Sequence, residues 1–131
     1  MADDVVIDAG TTTLNANSAA LASLTVNGTL TIGNNGTNRT LTVSGDITVA
    51  GSGTISVGAT AANHKLTAGG DITNAGTVNF APAANRTCDV TFNGTGTETV
   101  SGAGAYTFNL ITVNQGATNA NVVDMQAAIT V

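Results

Sequence analysis

The stretch Asn38–Thr48, with the sequence NRTLTVSGDIT, returns further along the chain as Asn63–Thr73, with the sequence NHKLTAGGDIT. The segment before it also repeats, since GTLTIG, GTISVG and GTVNF begin at Gly28, Gly53 and Gly76. A repeat of this length is typical of solenoid proteins, in which each repeat forms one coil stacked on the next. Because the repeats consist of short strand-like pieces, the sequence predicts a β-solenoid.

Apolar and hydroxyl side chains alternate within each repeat, which is the period of a β-strand with one buried face. We expect an all-β fold, a right-handed parallel β-helix of about five coils, each about 23–25 residues long. The predicted coils cover 5–27, 28–52, 53–75, 76–102 and 103–131. Side chains expected to point inward are Leu41, Ile47, Ile55, Leu66, Ile72 and Val78, with Ile47 directly beside Ile72.

The composition suits a narrow lumen better than a broad core. Only 8% of the residues are charged and 3% are aromatic, so Val, Ile, Leu and Ala must fill the interior. We expect one β-solenoid domain over 1–131, either whole or a piece of a longer repeat protein. The single cysteine, Cys88, excludes an intrachain disulfide, and its alternation with Val90 and Phe92 points it inward.

Charge and hydropathy argue against two classes of partner. The net charge of −5 provides no basic stripe for a nucleic acid. No apolar run is long enough for a transmembrane helix, so membrane insertion is not expected. The start, MADD, lacks the basic and apolar segments of a signal peptide, so an export signal is not present in this chain.

Three runs carry a resemblance to a known class of proteins: Val5–Thr12, Leu24–Ile32 and Leu41–Val49. They resemble the β-helical repeats of bacterial, Bacteroidetes-type, cell-surface adhesin-like proteins and the glycine-rich G8-type domain. The resemblance is good over residues 5–80 and loose over 81–131. It implies a right-handed parallel β-helix and an extracellular, cell-surface location.

Asp46 and Asp71 occupy equivalent positions of neighbouring repeats, so we expect them to stack. Two outward carboxylates are weak candidates for a Ca²⁺ site with backbone carbonyls, or for an acid–base pair such as glycosidases use. The alternative to a functional site is that each residue is simply a solvated aspartate at the start of a strand. No further acids flank the pair, so we expect no cofactor, no metal and no enzymatic activity.

The cations gather in one kind of corner, where Arg39, Lys65 and Arg86 each lie close after an asparagine and His64 precedes Lys65. If these corners stack, they form a short basic line, a candidate surface for anionic glycans or carboxylates of a partner. The alternative is that long polar side chains simply cover a corner. The asparagines Asn38, Asn63 and Asn85 are expected to form an amide ladder along it.

Threonines are also expected to stack, in one ladder containing Thr25, Thr42 and Thr67 and a second containing Thr31, Thr48 and Thr73. Flat threonine arrays occur in ice-binding solenoids, but threonine is also an ordinary strand residue. In these predicted ladders Ser56, Asn79 and Asp46 interrupt a flat face.

The two ends look uncapped, since a strand-like segment starts at Val5 and another reaches Val131. Terminal coils expose unpaired strand edges and the open lumen, which natural arrays cover with capping repeats. We therefore expect either a piece of a longer solenoid or end-to-end stacking into filaments. The candidate self-association residues are Val5, Val6, Ile7, Ile129 and Val131.

These observations favour a structural or adhesive module of an extracellular bacterial surface protein. The expected partners are further copies of the chain or the rest of a longer surface protein, with glycans as a further candidate. Two alternatives remain open from the sequence: a carbohydrate-binding or ice-binding module, and a polysaccharide lyase or hydrolase, since such enzymes also use parallel β-helices.

Overall fold

A computed structural model describes residues 1–116 and 122–131, which form 17 short strands and no helix. In chain order the strands are β1 (Asp4–Ile7), β2 (Thr11–Leu14), β3 (Ala20–Leu21), β4 (Ser23–Val26), β5 (Thr29–Ile32), β6 (Thr40–Val43), β7 (Ile47–Val49), β8 (Thr54–Val57), β9 (Ala62–Ala68), β10 (Ile72–Asn74), β11 (Thr77–Asn79), β12 (Arg86–Phe92), β13 (Thr97–Ser101), β14 (Ala105–Thr107), β15 (Ile111–Val113), β16 (Val122–Met125) and β17 (Ile129–Thr130).

Every third strand joins the same sheet, and every pairing between these strands is parallel. Sheet A has the order β1-β4-β7-β10-β13-β16, sheet B the order β2-β5-β8-β11-β14-β17, and sheet C the order β3-β6-β9-β12-β15. A chain that visits three parallel sheets in rotation is a β-solenoid, so the predicted fold class is confirmed. The right-handed winding stays a prediction that rests on the usual hand of parallel crossovers.

Alternation decides which side chains enter the lumen. In β4, β5, β6 and β8, the second and fourth residues are buried and the threonines or serines between them are half-buried. Ile47 pairs with Ile72, as predicted, and both are buried. The remaining predicted lumen residues are also buried: Leu41, Ile55, Leu66 and Val78. Cys88, Val90 and Phe92 are fully buried on one face of β12.

Aromatic rings fill the lumen in the later coils. The rings of Phe80 and Phe108 stack with centroids 5.8 Å apart, and Tyr106 lies 5.6 Å from Phe108 in a tilted arrangement. The Tyr106 hydroxyl is satisfied internally, because it donates to the backbone carbonyl of Ser101 at 2.7 Å. The interior of these coils is therefore aromatic as well as aliphatic, unlike the aliphatic lumen that the composition predicts.

A column of glycines forms the corner between sheets A and B. Its members are Gly10, Gly28, Gly53, Gly76 and Gly104. The residue after each of the last four glycines donates its N–H to the carbonyl of the glycine one coil earlier, at 2.8–3.0 Å. A Cβ on Gly53 would overlap the carbonyl oxygen of Val26, so the coils approach here too closely for any side chain.

The coils are less uniform than predicted. Along sheet A the paired positions are separated by 19, 23, 25, 28 and 25 residues, for the series Val5, Leu24, Ile47, Ile72, Val100 and Met125. The first interval is short because the connection from β2 to β3 is four residues shorter than that of the next coil: paired positions are 18 residues apart between β2 and β5 but 22 apart between β3 and β6. The fourth is long because the connection from β12 to β13 adds four residues: paired positions are 24 apart between β9 and β12 but 28 apart between β10 and β13. The division of the chain into coils thus differs slightly from the predicted one.

Candidate functional site

Asp46 and Asp71 stack as predicted, but both carboxylates accept hydrogen bonds from backbone N–H groups. Oδ1 of Asp46 accepts from the N–H of Asp71 at 3.0 Å, and Oδ1 of Asp71 accepts from the N–H of Thr99 at 2.7 Å. The Asp46 carboxylate also occupies the space beside Gly70, where a Cβ would lie 2.5 Å from it. Each carboxylate therefore closes the turn of the next coil.

Asp46 and Asp71 belong to a longer outward row of sheet A. The aligned positions are Asp4, Ser23, Asp46, Asp71, Thr99 and Asp124. At the first coil Ser23 donates its hydroxyl to Oδ1 of Asp4 at 2.7 Å. Across the described ranges, no group of three or more His, Cys, Asp or Glu side chains comes close enough to hold a metal ion. In this row Asp4, Asp46 and Asp71 each accept a hydrogen bond from the residue at the same position one coil later.

The predicted basic line does not form as an exposed row, because His64 is buried with 2% of its surface exposed. Its Nδ1 accepts from the backbone N–H of Arg39 at 3.0 Å, and its ring lies against Gly33, which has a φ of 62°. Burial and the nearby Arg39 charge lower the pKa of His64. The histidine is therefore a neutral corner support inside the stack.

The three cations fall in different rows of the stack. Lys65 pairs with Thr40 and Asp89, whereas Arg86 pairs with Ala62. Arg39 precedes β6, in the row of His64. Lys65 is exposed, but Arg39 and Arg86 are half-buried, and Nη1 of Arg86 lies 3.5 Å from the carbonyl of Gly58. Arg39, Lys65 and Arg86 thus provide no continuous basic surface.

The asparagine ladder is present in part. Oδ1 of Asn38 accepts from the N–H of Asn63 at 3.0 Å, as expected for stacked amides. The next position along is Thr87, whose hydroxyl donates to Oδ1 of Asn63 at 2.9 Å, and Asn85 lies two residues earlier. The side chain of Asn63 also donates to Asp89 at 3.0 Å. The ladder serves the corner's own backbone and side chains.

Cys88 has no exposed surface, and burial together with Asp89 raises the pKa of its thiol. Since the thiolate is the reactive form, this cysteine is a packing residue rather than a nucleophile.

A buried carboxyl group, which the sequence interpretation missed, lies at the corner between sheets C and A. Glu98 is 3% exposed, and its carboxyl group lies against Gly94 and close to the Gln115 side chain. Burial, with a smaller contribution from the Asp71 charge, raises the pKa of Glu98. A shallow cavity of about 250 Å³ opens at the same corner, lined in part by Ser44, Asn93 and Gly94.

The lumen is open at the first coil. A cavity of about 190 Å³ lies there, lined mainly by apolar side chains: Val5, Ile7, Leu14, Leu21, Leu24, Leu30 and Leu41, with Thr12, Thr13 and Ser18. Val5 and Ile7 point toward it, whereas Val6 points outward and is 60% exposed. Of the candidate association residues on β1, two therefore line the lumen and one lies on the outer surface.

Apolar side chains are also uncovered at the last coils. Met125 continues the buried row of Val100 and is 38% exposed, and Ile129 continues the row of Tyr106 and is half-buried. Val131 is 78% exposed. The same rows that are buried in the middle of the rod are uncovered at both ends.

The threonines sort into ladders differently from the prediction. Thr25, Thr48 and Thr73 align on sheet A, while Thr42, Thr67, Thr91 and Thr112 align on sheet C. Thr31 lies on sheet B. The sequence interpretation placed Thr25 and Thr31 in the wrong ladders, because each coil carries three similar strands and the repeat alone does not say which sheet a strand joins.

No helix in the described parts of the chain is long and apolar enough to cross a membrane. No protein-family model, no curated protein and no solved structure matches the chain.

Proposed function

We propose that this chain is a structural, adhesive β-solenoid module of an extracellular bacterial surface protein, and that its copies associate end to end. The observation that carries the proposal is the open apolar lumen at the first coil. The buried row of sheet A runs from Val5 to Met125 and loses its cover at both of these residues. The extracellular, bacterial setting rests on the resemblance of the repeats to surface adhesins.

A second copy fits this open end because all strands in a sheet are parallel. The free edge of β16 in one copy can pair with the free edge of β1 in the next, which places Met125 beside Val5. In sheet B, β17 can pair with β2 in the same way, which places Ile129 beside Thr12. The contact joins two different ends, so it propagates into filaments rather than closing a two-fold dimer.

Apolar burial and backbone pairing would both stabilise such a contact. Each buried apolar side chain contributes about 1.5–3 kcal/mol when it leaves water, and Val5, Leu21 and Met125 are all incompletely covered. Strand edges that face water are templates for a further strand. Stacking covers the lumen and pairs the free edges of sheets A and B at once.

The test is the association state of the purified chain, measured by sedimentation and light scattering over a range of concentrations, with electron microscopy of the particles. We expect elongated oligomers that lengthen with concentration. Val5→Lys and Ile129→Lys should each reduce association strongly. Thr48→Lys, on the outer surface in mid-rod, should leave it unchanged, provided that all variants keep the melting temperature of the parent.

Val6 supplies a control on the same strand as Val5. The sequence placed it among the association residues, but its side chain points away from the lumen, so Val6→Lys should weaken association less than Val5→Lys. A folded monomer at every concentration would refute end-to-end association. Equal effects of Val5→Lys and Thr48→Lys would refute the lumen contact.

A further inference from the structure

Sheet B carries two parallel columns of short hydroxyl side chains on its outer face. The first column contains Thr11, Thr29, Thr54, Thr77 and Ala105. The second contains Thr13, Thr31, Ser56, Asn79, Thr107 and Thr130. We call these eleven positions the sheet B hydroxyl surface. Threonine occupies eight of them, in every coil that the sheet crosses.

The sheet B hydroxyl surface is uncharged, although charges occur on the rest of the rod. The six strands of sheet B contain no Asp, Glu, Lys, Arg or His. Sheet A carries the row of Asp4, Asp46, Asp71 and Asp124, and sheet C carries Lys65, Arg86 and Asp89. Charge therefore lies on sheets A and C and in the corners, where Asp8 and Arg39 stand, an asymmetry that the fold itself does not require.

The hydroxyls of this surface are free to bind something outside the chain. No threonine or serine hydroxyl of the sheet B hydroxyl surface has a hydrogen-bond partner within the described residues. Among the other hydroxyls, Ser23 donates to Asp4, Ser52 to the carbonyl of Asn27 and Thr87 to Asn63. The outward threonines of sheets A and C, such as Thr48 and Thr67, have no hydroxyl partner within the described residues either. Unpaired hydroxyls are therefore common to the outward faces, and it is the absence of charge beside them that distinguishes sheet B.

Strand geometry turns the two columns into a regular two-dimensional array. Neighbouring coils lie about 4.8 Å apart, and alternate residues of a strand lie about 6.6–6.8 Å apart. The stiff χ1 of threonine keeps each methyl and hydroxyl in a defined direction. The buried neighbours Leu30, Ile55 and Val78 anchor the strands from inside, and the glycine column fixes their height at one edge.

We propose that the sheet B hydroxyl surface binds ice. A rigid, uncharged array made mostly of threonine hydroxyl and methyl groups, with repeats comparable to the lattice repeats of ice rather than to the distance between neighbouring waters, can order its first water layer into the crystal lattice. A carbohydrate surface is the poorer match, because sugar-binding platforms stack pyranose rings on exposed aromatic rings. The one aromatic ring of sheet B, Tyr106, points inward and is 2% exposed.

The experiment uses ice directly as the probe. Thermal hysteresis and the shaping of a single ice crystal are measured for the folded chain, together with its partition into slowly growing ice. We expect the chain to shape ice, to produce thermal hysteresis and to enter the ice fraction. Thr77→Tyr places a bulky ring on the sheet B hydroxyl surface and should remove most of this activity.

Thr73→Tyr is the matched control, since Thr73 is an exposed threonine of the same coil on sheet A. It should retain the parental activity. Thr77→Val removes one hydroxyl and keeps the side-chain shape, so it guards against misfolding of the tyrosine variant and should lose activity partially.

Three outcomes would overturn the proposal. A folded parent without thermal hysteresis or ice shaping is the first. Equal loss of activity in Thr73→Tyr and Thr77→Tyr is the second, since it would assign the effect to another side of the rod. The third is sedimentation with crystalline cellulose or chitin without partition into ice, which would assign the surface to a glycan.

Discussion

Oδ1 of Asp46 accepts a hydrogen bond from the backbone N–H of Asp71, the equivalent aspartate one coil later, at 3.0 Å. One carboxylate thus holds the turn that presents the next carboxylate, which in turn accepts from Thr99. Stacked acids at this spacing would repel each other in isolation. Here each carboxylate accepts a hydrogen bond from a backbone N–H group, which offsets part of its charge. The pair is therefore a structural ladder.

Replacing Asp46 should therefore affect stability. Asp46→Ala leaves the N–H of Asp71 without its acceptor and should lower the free energy of unfolding by about 1 kcal/mol. Asp46→Asn keeps an acceptor oxygen and should lose less. Urea denaturation of both variants makes the comparison. If calcium instead raised the parent's melting temperature by many degrees and Asp46→Asn abolished the rise, the carboxylate would be a metal ligand.

Stability should depend far more on Ile47, the lumen residue that follows Asp46. Ile47 is 1% exposed, so Ile47→Ala should cost about 2–5 kcal/mol as a buried large-to-small change. Thr48, the next residue, points to solvent, and Thr48→Ala should cost less than about 1 kcal/mol. Denaturant titrations measure both. Similar losses at the two positions would contradict the register of sheet A.

In the glycine column, we expect a single added methyl group at Gly53 to destabilise the fold. Gly53→Ala forces a Cβ against the carbonyl of Val26 and should destabilise the rod by about 1–3 kcal/mol. Gly51 is exposed in the same corner, and the nearest atom to a Cβ there is 4.0 Å away. Gly51→Ala should be tolerated. Thermal melts of the two variants give the result, and a stable Gly53→Ala would refute the close approach.

His64 should make the protein less stable in mild acid. Its pKa is lowered in the folded state, so the fold favours the neutral ring, and protonating Nδ1 would break the hydrogen bond from Arg39. The stability contribution is present above the ordinary pKa of 6.5 and is lost as the pH falls below it. We expect His64→Gln to reduce this loss, measured as the difference in unfolding free energy between neutral and mildly acidic buffer.

Glu98 should give stability the opposite dependence on pH. Its pKa is raised in the folded state, so the fold favours the protonated acid. The contribution of Glu98 to stability is complete below pH 4.5, the ordinary pKa of a glutamate, and is lost as the pH rises above that value. Glu98→Gln removes the ionisation, and we expect it to raise the melting temperature at neutral pH. An unchanged or lower melting temperature there, with the fold intact, would contradict this assignment.

The sequence predicts the lumen well because the repeat and the alternation both act locally. Ile47 and Ile72 lie at matching places in nearly identical strings, so their pairing follows from the repeat. The corners are harder: Asn85 and Arg86 mimic Asn38 and Arg39 in sequence. In the structure β9 and β12 extend to seven residues each and pair along their whole length, which moves Asn85 out of the ladder. The burial of His64 depends on space beside Gly33, which no local pattern reveals.

The three corners of the rod differ in their tolerance of added sequence. Between sheets A and B, Gly28, Gly53, Gly76 and Gly104 leave no room for a side chain at their own positions. Between sheets B and C, the connections already vary, spanning 15–19, 33–39, 58–61, 80–85 and 108–110. Because the strands on either side keep their register despite this variation, foreign peptides inserted at exposed residues of the B-to-C corner, away from the buried Phe80 and Phe108, would be displayed along a single line of the rod.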